Sequence, residues 1–151
     1  MTQDIDLVVD NVALSGVLPV FLEAVAGAGF FIDEAAVRRA VAERSMFQLF
    51  DEAEALKVDA YLRELIPGEL DHSVLVEVFE GVRIPCVSRV DAAASKLVRA
   101  SLGSHRSRRD LRWMHAVMPV ADRLELGRLA GTLGQLALLG EVLAEPDEIS
   151  G

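Results

Sequence analysis

The hydrophobic period changes once along this chain, at Ser88, and that change constrains the fold more than any other feature of the sequence. Before it, apolar residues come in runs of strand length. Ile5, Leu7, Val8 and Val9 open the chain as a strand, and Asp10 before Asn11 reads as a strand-end or turn residue. A helix is predicted from Gly16 to Ala28, with Gly27 and Gly29 stopping it, and Asp33 reads as the N-cap of a short helix through Val37 and Val41. Met46 to Phe50 and Leu56 to Leu62 are predicted strands, joined by a polar Asp51-Glu52-Ala53-Glu54 link that suits a hairpin. Val76 to Phe79 and Val82 to Val87 form a second predicted hairpin with Glu80-Gly81 at its turn. After Ser88 the apolar residues Val90, Ala94, Leu97, Val98 and Leu102 recur at helical spacing, with Ser88 or Asp91 able to cap the start. Gly103-Ser104 ends that helix, a second is predicted from Ser107 to Met118, and Pro119 stops it. Two more follow, around Asp122 to Ala130 and Leu133 to Ala144, before a polar tail. The expected fold class is α/β: a mixed sheet with flanking helices over residues 1–87, then a C-terminal helical region over residues 88–151.

Composition narrows the functional classes. A hydrophobic fraction of 52% with only 5% aromatics implies a packed core built from Leu, Val, Ile and Ala. No uncharged apolar run approaches the roughly 18 residues of a membrane span, so no membrane partner is expected. The first ten residues hold three aspartates and no basic residue, which leads us to expect no signal peptide and a cytoplasmic location. Cys86 has no second cysteine to pair with and reads as an inert buried thiol. His72, His105 and His115 are too scattered for a zinc set, and no Gly-x-Ser-x-Gly elbow is present. Trp113, Met114 and Met118 read as helix packing. Among the last helices, Leu129, Leu133 and Val142 lie on faces that need covering, by neighbouring helices or by a partner.

The chemistry concentrates in Asp4-Ile5-Asp6. In a strand, residues i and i+2 share a face, with Cα atoms roughly 6.5–7 Å apart. Two carboxylates so placed repel unless a cation lies between them. Hard divalent ions take oxygen ligands, commonly one or two carboxylates plus substrate phosphates. Asp59 lies on the polar parity of Lys57-Val58-Asp59-Ala60-Tyr61, so if that strand pairs beside the first, Asp4, Asp6 and Asp59 converge. Such a patch suits two-metal phosphoryl or nucleotidyl transfer. A solvated acidic terminus is the plain alternative.

Thr2-Gln3-Asp4-Ile5-Asp6-Leu7-Val8-Val9 resembles the Arg-x-Thr-x-Asp-h-Asp signature of minimal nucleotidyltransferases, with h apolar, and most resembles the AbiEii-like toxin group. The resemblance implies that Asp4 and Asp6 hold Mg²⁺ with a nucleoside triphosphate, and that Asp59 supplies the third carboxylate. Val87-Ser88-Arg89-Val90-Asp91 followed by Ser95-Lys96-Leu97 is similar to the segment whose lysine faces the site, and Arg106-Ser107-Arg108-Arg109-Asp110-Leu111 to the later Arg-Asp-Leu segment. Lys96 and Asp110 thereby join the implied active-site residues. The implied activity is transfer of a nucleotide from an NTP to a hydroxyl on RNA, tRNA included, or on protein, with an antitoxin protein as a further implied partner. One departure stands out. The family places a Gly-Gly or Gly-Ser turn before the aspartates to grip the triphosphate, and only Met1, Thr2 and Gln3 precede Asp4 here. Either that turn lies upstream, or the protein is a catalytically inactive binding or regulatory module of the same fold.

A net charge of −9 argues against nonspecific nucleic-acid binding, yet five of the fifteen basic residues fall between Arg99 and Arg112. On a helix from Ser107, Arg108 and Arg112 share one face, Arg109 points with Trp113, and Asp110 lies nearly opposite. Arg106 is expected in the preceding loop, reaching towards Lys96. Lys96, Arg106, Arg108 and Arg112 are the candidate contacts for nucleotide or RNA phosphate; a solvated basic face is the alternative.

Overall fold

The structure, a computed structural model, describes residues 3–146. The architecture is α/β and divides into two compact units, Met1–Glu64 and Leu65–Gly151. The expected polar tail beyond residue 146 lies outside the described residues, as do Met1 and Thr2 of the nucleotidyltransferase-like signature.

The first unit runs β1 (Gln3–Val8), α1 (Asn11–Gly27), β2 (Phe31–Ile32), α2 (Glu34–Glu43), β3 (Met46–Asp51) and β4 (Leu56–Tyr61). Its strands form one sheet in the order β1-β4-β3-β2. β1 runs parallel to β4, and the other pairs are antiparallel. A parallel pair needs a long crossover, here supplied by α1, β2, α2 and β3. The β3–β4 hairpin forms as the sequence suggests. Asp51 holds its turn by accepting the Ala53 and Glu54 N–H groups at 2.9 and 3.2 Å.

Helix α1 begins earlier than the apolar pattern indicated. The Asp10 carboxylate accepts the N–H groups of Val12 and Ala13 at 2.8 and 3.1 Å, so it caps the helix rather than closing the strand. Pro19 then lies in the helix interior, where it costs an N–H donor. Packing offsets this: Leu14, Leu18 and Leu22, spaced four apart, are all buried. With Val37 and Ala40 of α2 they cover Phe47, Leu49, Val58 and Ala60 of the sheet. These strand residues alternate with the less buried Met46, Gln48, Phe50 and Lys57 and with Asp59, so the core occupies one face of the sheet.

The second unit contains the hairpin β5 (Val74–Phe79) and β6 (Val82–Cys86), then α3 (Arg89–Ser101), α4 (His105–Val117), α5 (Val120–Thr132) and α6 (Leu136–Ala144). The period change at Ser88 therefore marks the start of α3, while the compact units divide earlier, between Glu64 and Leu65. Ile66, Leu97, Leu111, Leu126 and Val142 are fully buried together at its centre. Ser88 caps α3 by accepting the Asp91 N–H at 3.0 Å, and Ser104 caps α4 by accepting the Ser107 N–H at 3.2 Å. The Ser104 cap starts α4 at His105, two residues before the expected Ser107, which takes Arg106 out of the loop and into the helix. Met118 is buried and Met114 partly so, as packing residues; Trp113 is 68% exposed and belongs to no core. Cys86 is half-buried at the end of β6. No helix among the described residues is long and apolar enough to cross a membrane.

Candidate functional site

The register of the first sheet assembles a polar cluster. Asp4 stands beside Lys57, and Asp6 beside Asp59, across the parallel β1–β4 pair. Gln48 of β3 is the other neighbour of Asp59. Paired residues in adjacent strands point to the same side, so these five share the face opposite Val58 and Ala60, the pair under the helices. Asp4, Asp6 and Asp59 thus reach one face, as their parity required.

They do not converge on a vacant centre. Asp59 is 8% exposed because β4 lies between β1 and β3, and a carboxylate so buried must be satisfied locally. Gln48 Nε2 donates to Oδ1 at 2.8 Å, and Lys57 Nζ lies 3.1 Å from Oδ2. The same ammonium is 3.7 Å from Asp4 Oδ1. Hydrogen bonding to Asp59 first, with the charges of Asp4, Asp59 and Asp6 in support, raises the Lys57 pKa above its ordinary value despite a desolvation cost. Lys57 therefore supplies the cation that two facing carboxylates call for. Among the described residues no three Asp, Glu, His or Cys side chains form a group able to hold a metal ion. The three carboxylates as arranged do not fit a three-ligand cage, since Lys57 and Gln48 engage both Asp59 oxygens. The donor chemistry of Asp4 and Asp6 does fit a hard cation whose remaining ligands come from substrate oxygens. Lys57 is the site residue that the sequence reading passed over, and its signal was present: it lies two residues before Asp59, on the same strand parity.

In the second unit, Lys96 of α3 pairs with Asp110 of α4 at 2.9 Å, and Arg106, one turn before Asp110, approaches the same oxygen at 4.0 Å. The helix that now includes Arg106 brings it to Asp110 by i,i+4 spacing. Asp110 faces away from Arg108 and Arg112, as helical geometry indicated. Those two are neither solvated nor open to a phosphate as they stand. Arg108 Nε donates to Glu145 Oε1 at 2.7 Å, its Nη2 to Glu141 Oε1 at 2.5 Å, and Arg112 Nη1 to Glu145 Oε2 at 2.5 Å. The Arg108 guanidinium depresses the Glu145 pKa below the ordinary carboxylate value, with Arg112 adding to the effect.

A further buried carboxylate escaped the sequence reading. Asp91, 2% exposed, accepts the Ser88 hydroxyl at 2.9 Å and faces His72 Nδ1 at 3.2 Å through the same Oδ2 atom. The Ser-x-x-Asp spacing signals the helix cap, but nothing local in the sequence links Asp91 to His72. No protein-family model matches the chain, and no curated protein matches it either.

Proposed function

We propose that the chain is a nucleotidyltransferase-like protein that binds a nucleoside triphosphate with Mg²⁺ on the open polar face of its first sheet. The observation that carries this reading is the parallel register of β1 and β4, which sets Asp4 beside Lys57 and Asp6 beside Asp59 on the face opposite α1 and α2. In this reading Asp4 and Asp6 hold the ion. Bound Mg²⁺ supplies charge neutralisation on the triphosphate and polarises the phosphorus under attack. Lys57 turns from Asp59 to a phosphate oxygen as a point charge. Asp59, released from that ammonium, accepts the proton of an acceptor hydroxyl on RNA or protein as the hydroxyl oxygen bonds the α-phosphorus and the bond to the departing pyrophosphate breaks. Lys96 and Asp110 act in this reading through their ion pair in the second unit.

One observation favours a second reading, a binding or regulatory module without turnover. Lys57 already balances Asp59 and Asp4, so the face is stable without an added cation. The melting temperature of the full chain separates the possibilities. Mg²⁺ with an NTP at about 100 times its Kd stabilises the native state by about 2.7 kcal/mol, a rise of about 5–10 °C in a chain of this size. Asp6→Asn should remove the Mg²⁺-dependent part of that rise while circular dichroism shows the fold intact. Binding with no release of pyrophosphate in the presence of RNA would select the second reading. No shift with any NTP refutes the first reading and favours the second.

A further inference from the structure

The side of the first sheet that carries Asp4, Asp6 and Asp59 is not polar throughout. Met46, Gln48 and Phe50 alternate with the buried Phe47 and Leu49 along β3, which puts Phe50 on that side. The antiparallel β2–β3 register sets Phe31 directly beside Phe50. Phe50 in turn pairs with Lys57 across β3–β4, and Lys57 with Asp4 across β4–β1. One row of residues therefore crosses the sheet in the order Phe31, Phe50, Lys57, Asp4. The neighbouring row on the same side holds Gln48, Asp59 and Asp6.

Two adjacent phenylalanines in such a row call for a reason. Phe31 is 64% exposed and Phe50 38%, although a phenylalanine ring has no polar atom to gain from water. A cross-strand aromatic pair can hold β2 against β3 through ring contact. That contact is not made here. Phe21 and Phe47 meet edge to face with centroids 5.9 Å apart, whereas among the described residues neither Phe31 nor Phe50 has another aromatic ring against it. Sheets that bind nucleobases present exposed aromatic side chains on which the bases stack, beside basic groups that take the phosphates. Lys57 stands in that place relative to Phe50.

Adjacent strands lie about 4.7–4.9 Å apart, so Phe50 stands one spacing and Phe31 two spacings from Lys57. A nucleotide carries its base and its phosphates on opposite sides of the ribose, a separation of the same order. We propose that Phe31 and Phe50 form the stacking platform for the base of the nucleotide whose phosphates meet Lys57. This inference rests on the nucleotide-binding reading of the sheet and adds to it the subsite that tells a nucleoside triphosphate from bare polyphosphate. Stacking uses the π face common to all bases, so the platform accepts purines and pyrimidines alike and holds the larger purine face more tightly.

The test titrates the full chain by calorimetry with Mg²⁺–ATP and with Mg²⁺–tripolyphosphate, which has the same row of phosphates and no base. Phe31→Leu and Phe50→Leu keep an apolar side chain and remove the π face. Expected is a loss in Mg²⁺–ATP affinity of about threefold or more for each variant and about tenfold or more for the two combined, with Mg²⁺–tripolyphosphate bound as by the parent. A purely structural role for the pair would weaken both ligands or neither. If the parent binds both ligands and the combined variant keeps its ATP affinity, or loses affinity for both alike, the platform is refuted while the nucleotide-binding reading stands. The same holds if the parent takes tripolyphosphate but not ATP. If the parent binds neither, the nucleotide-binding reading fails and the platform falls with it. A short single-stranded RNA is titrated in parallel: loss of RNA binding in the variants with Mg²⁺–ATP unaffected would assign the platform to an acceptor base and overturn the proposal. Circular dichroism of each variant checks that the fold is intact.

Discussion

Ser88→Ala tests how the second unit holds its buried carboxylate. The Ser88 hydroxyl has two roles: it accepts the Asp91 N–H as the cap of α3, and it donates to Asp91 Oδ2. Loss of a serine N-cap costs about 1 kcal/mol. Loss of a donor to a buried carboxylate costs about a further 1–3 kcal/mol. Asp91 qualifies as buried at 2% exposure, with His72 as its other side-chain partner. The sum is about 2–4 kcal/mol, or about 1–2 M in the urea midpoint at an ordinary m-value. Urea unfolding followed at 222 nm and by Trp113 emission, which reports the second unit, provides the measurement. Ser101→Ala is the control, since its hydroxyl bonds the Val98 carbonyl of the same helix at an exposed position and its loss should stay within about 0.5 kcal/mol. Combining Ser88→Ala with Asp91→Asn should give a less than additive loss, because the hydroxyl and the carboxylate act on one another. A Ser88→Ala loss below about 1 kcal/mol, fully additive with Asp91→Asn, would show that water serves Asp91 and would refute the reasoning.

Two further outcomes follow from the second unit. Gly68 has φ +84°, and a Cβ there would stand 3.1 Å from Cε1 of His72, so Gly68→Ala should lower stability by about 1–2 kcal/mol in the same urea assay; no loss would mean that the loop adapts. Because Arg108 holds the Glu145 carboxyl below its ordinary range, the contribution of Glu145 is complete above the unfolded-state pKa and is lost as pH falls through the lower folded-state value. The stability gap between the parent and Glu145→Gln should therefore be constant near neutrality and close on acidification, as thermal melts across pH will show.

The sequence by itself determined the types of all elements but the two-residue β2, and the facing of the key side chains, because both follow from local periodicity. Strand parity placed Asp4 with Asp6, and helical spacing placed Arg108 with Arg112 and turned Asp110 away from them. Caps were less legible. Asp10 and Ser104 compete between turn and helix roles, and the choice depends on whether the apolar faces that follow find cover. Pairing was decided only in the tertiary structure. That β4 lies between β1 and β3 is a matter of topology, and it buries Asp59, which in turn requires Lys57 and Gln48 as partners. The fate of the arginine cluster depended on α6, whose Glu141 and Glu145 lie 33 and 37 residues from Arg108. His72 likewise meets Asp91 across 19 residues. The sign and direction of a charge can be read from its own segment, whereas its partner is fixed by packing between segments, where the cost of burying an unmatched charge selects which distant group answers it.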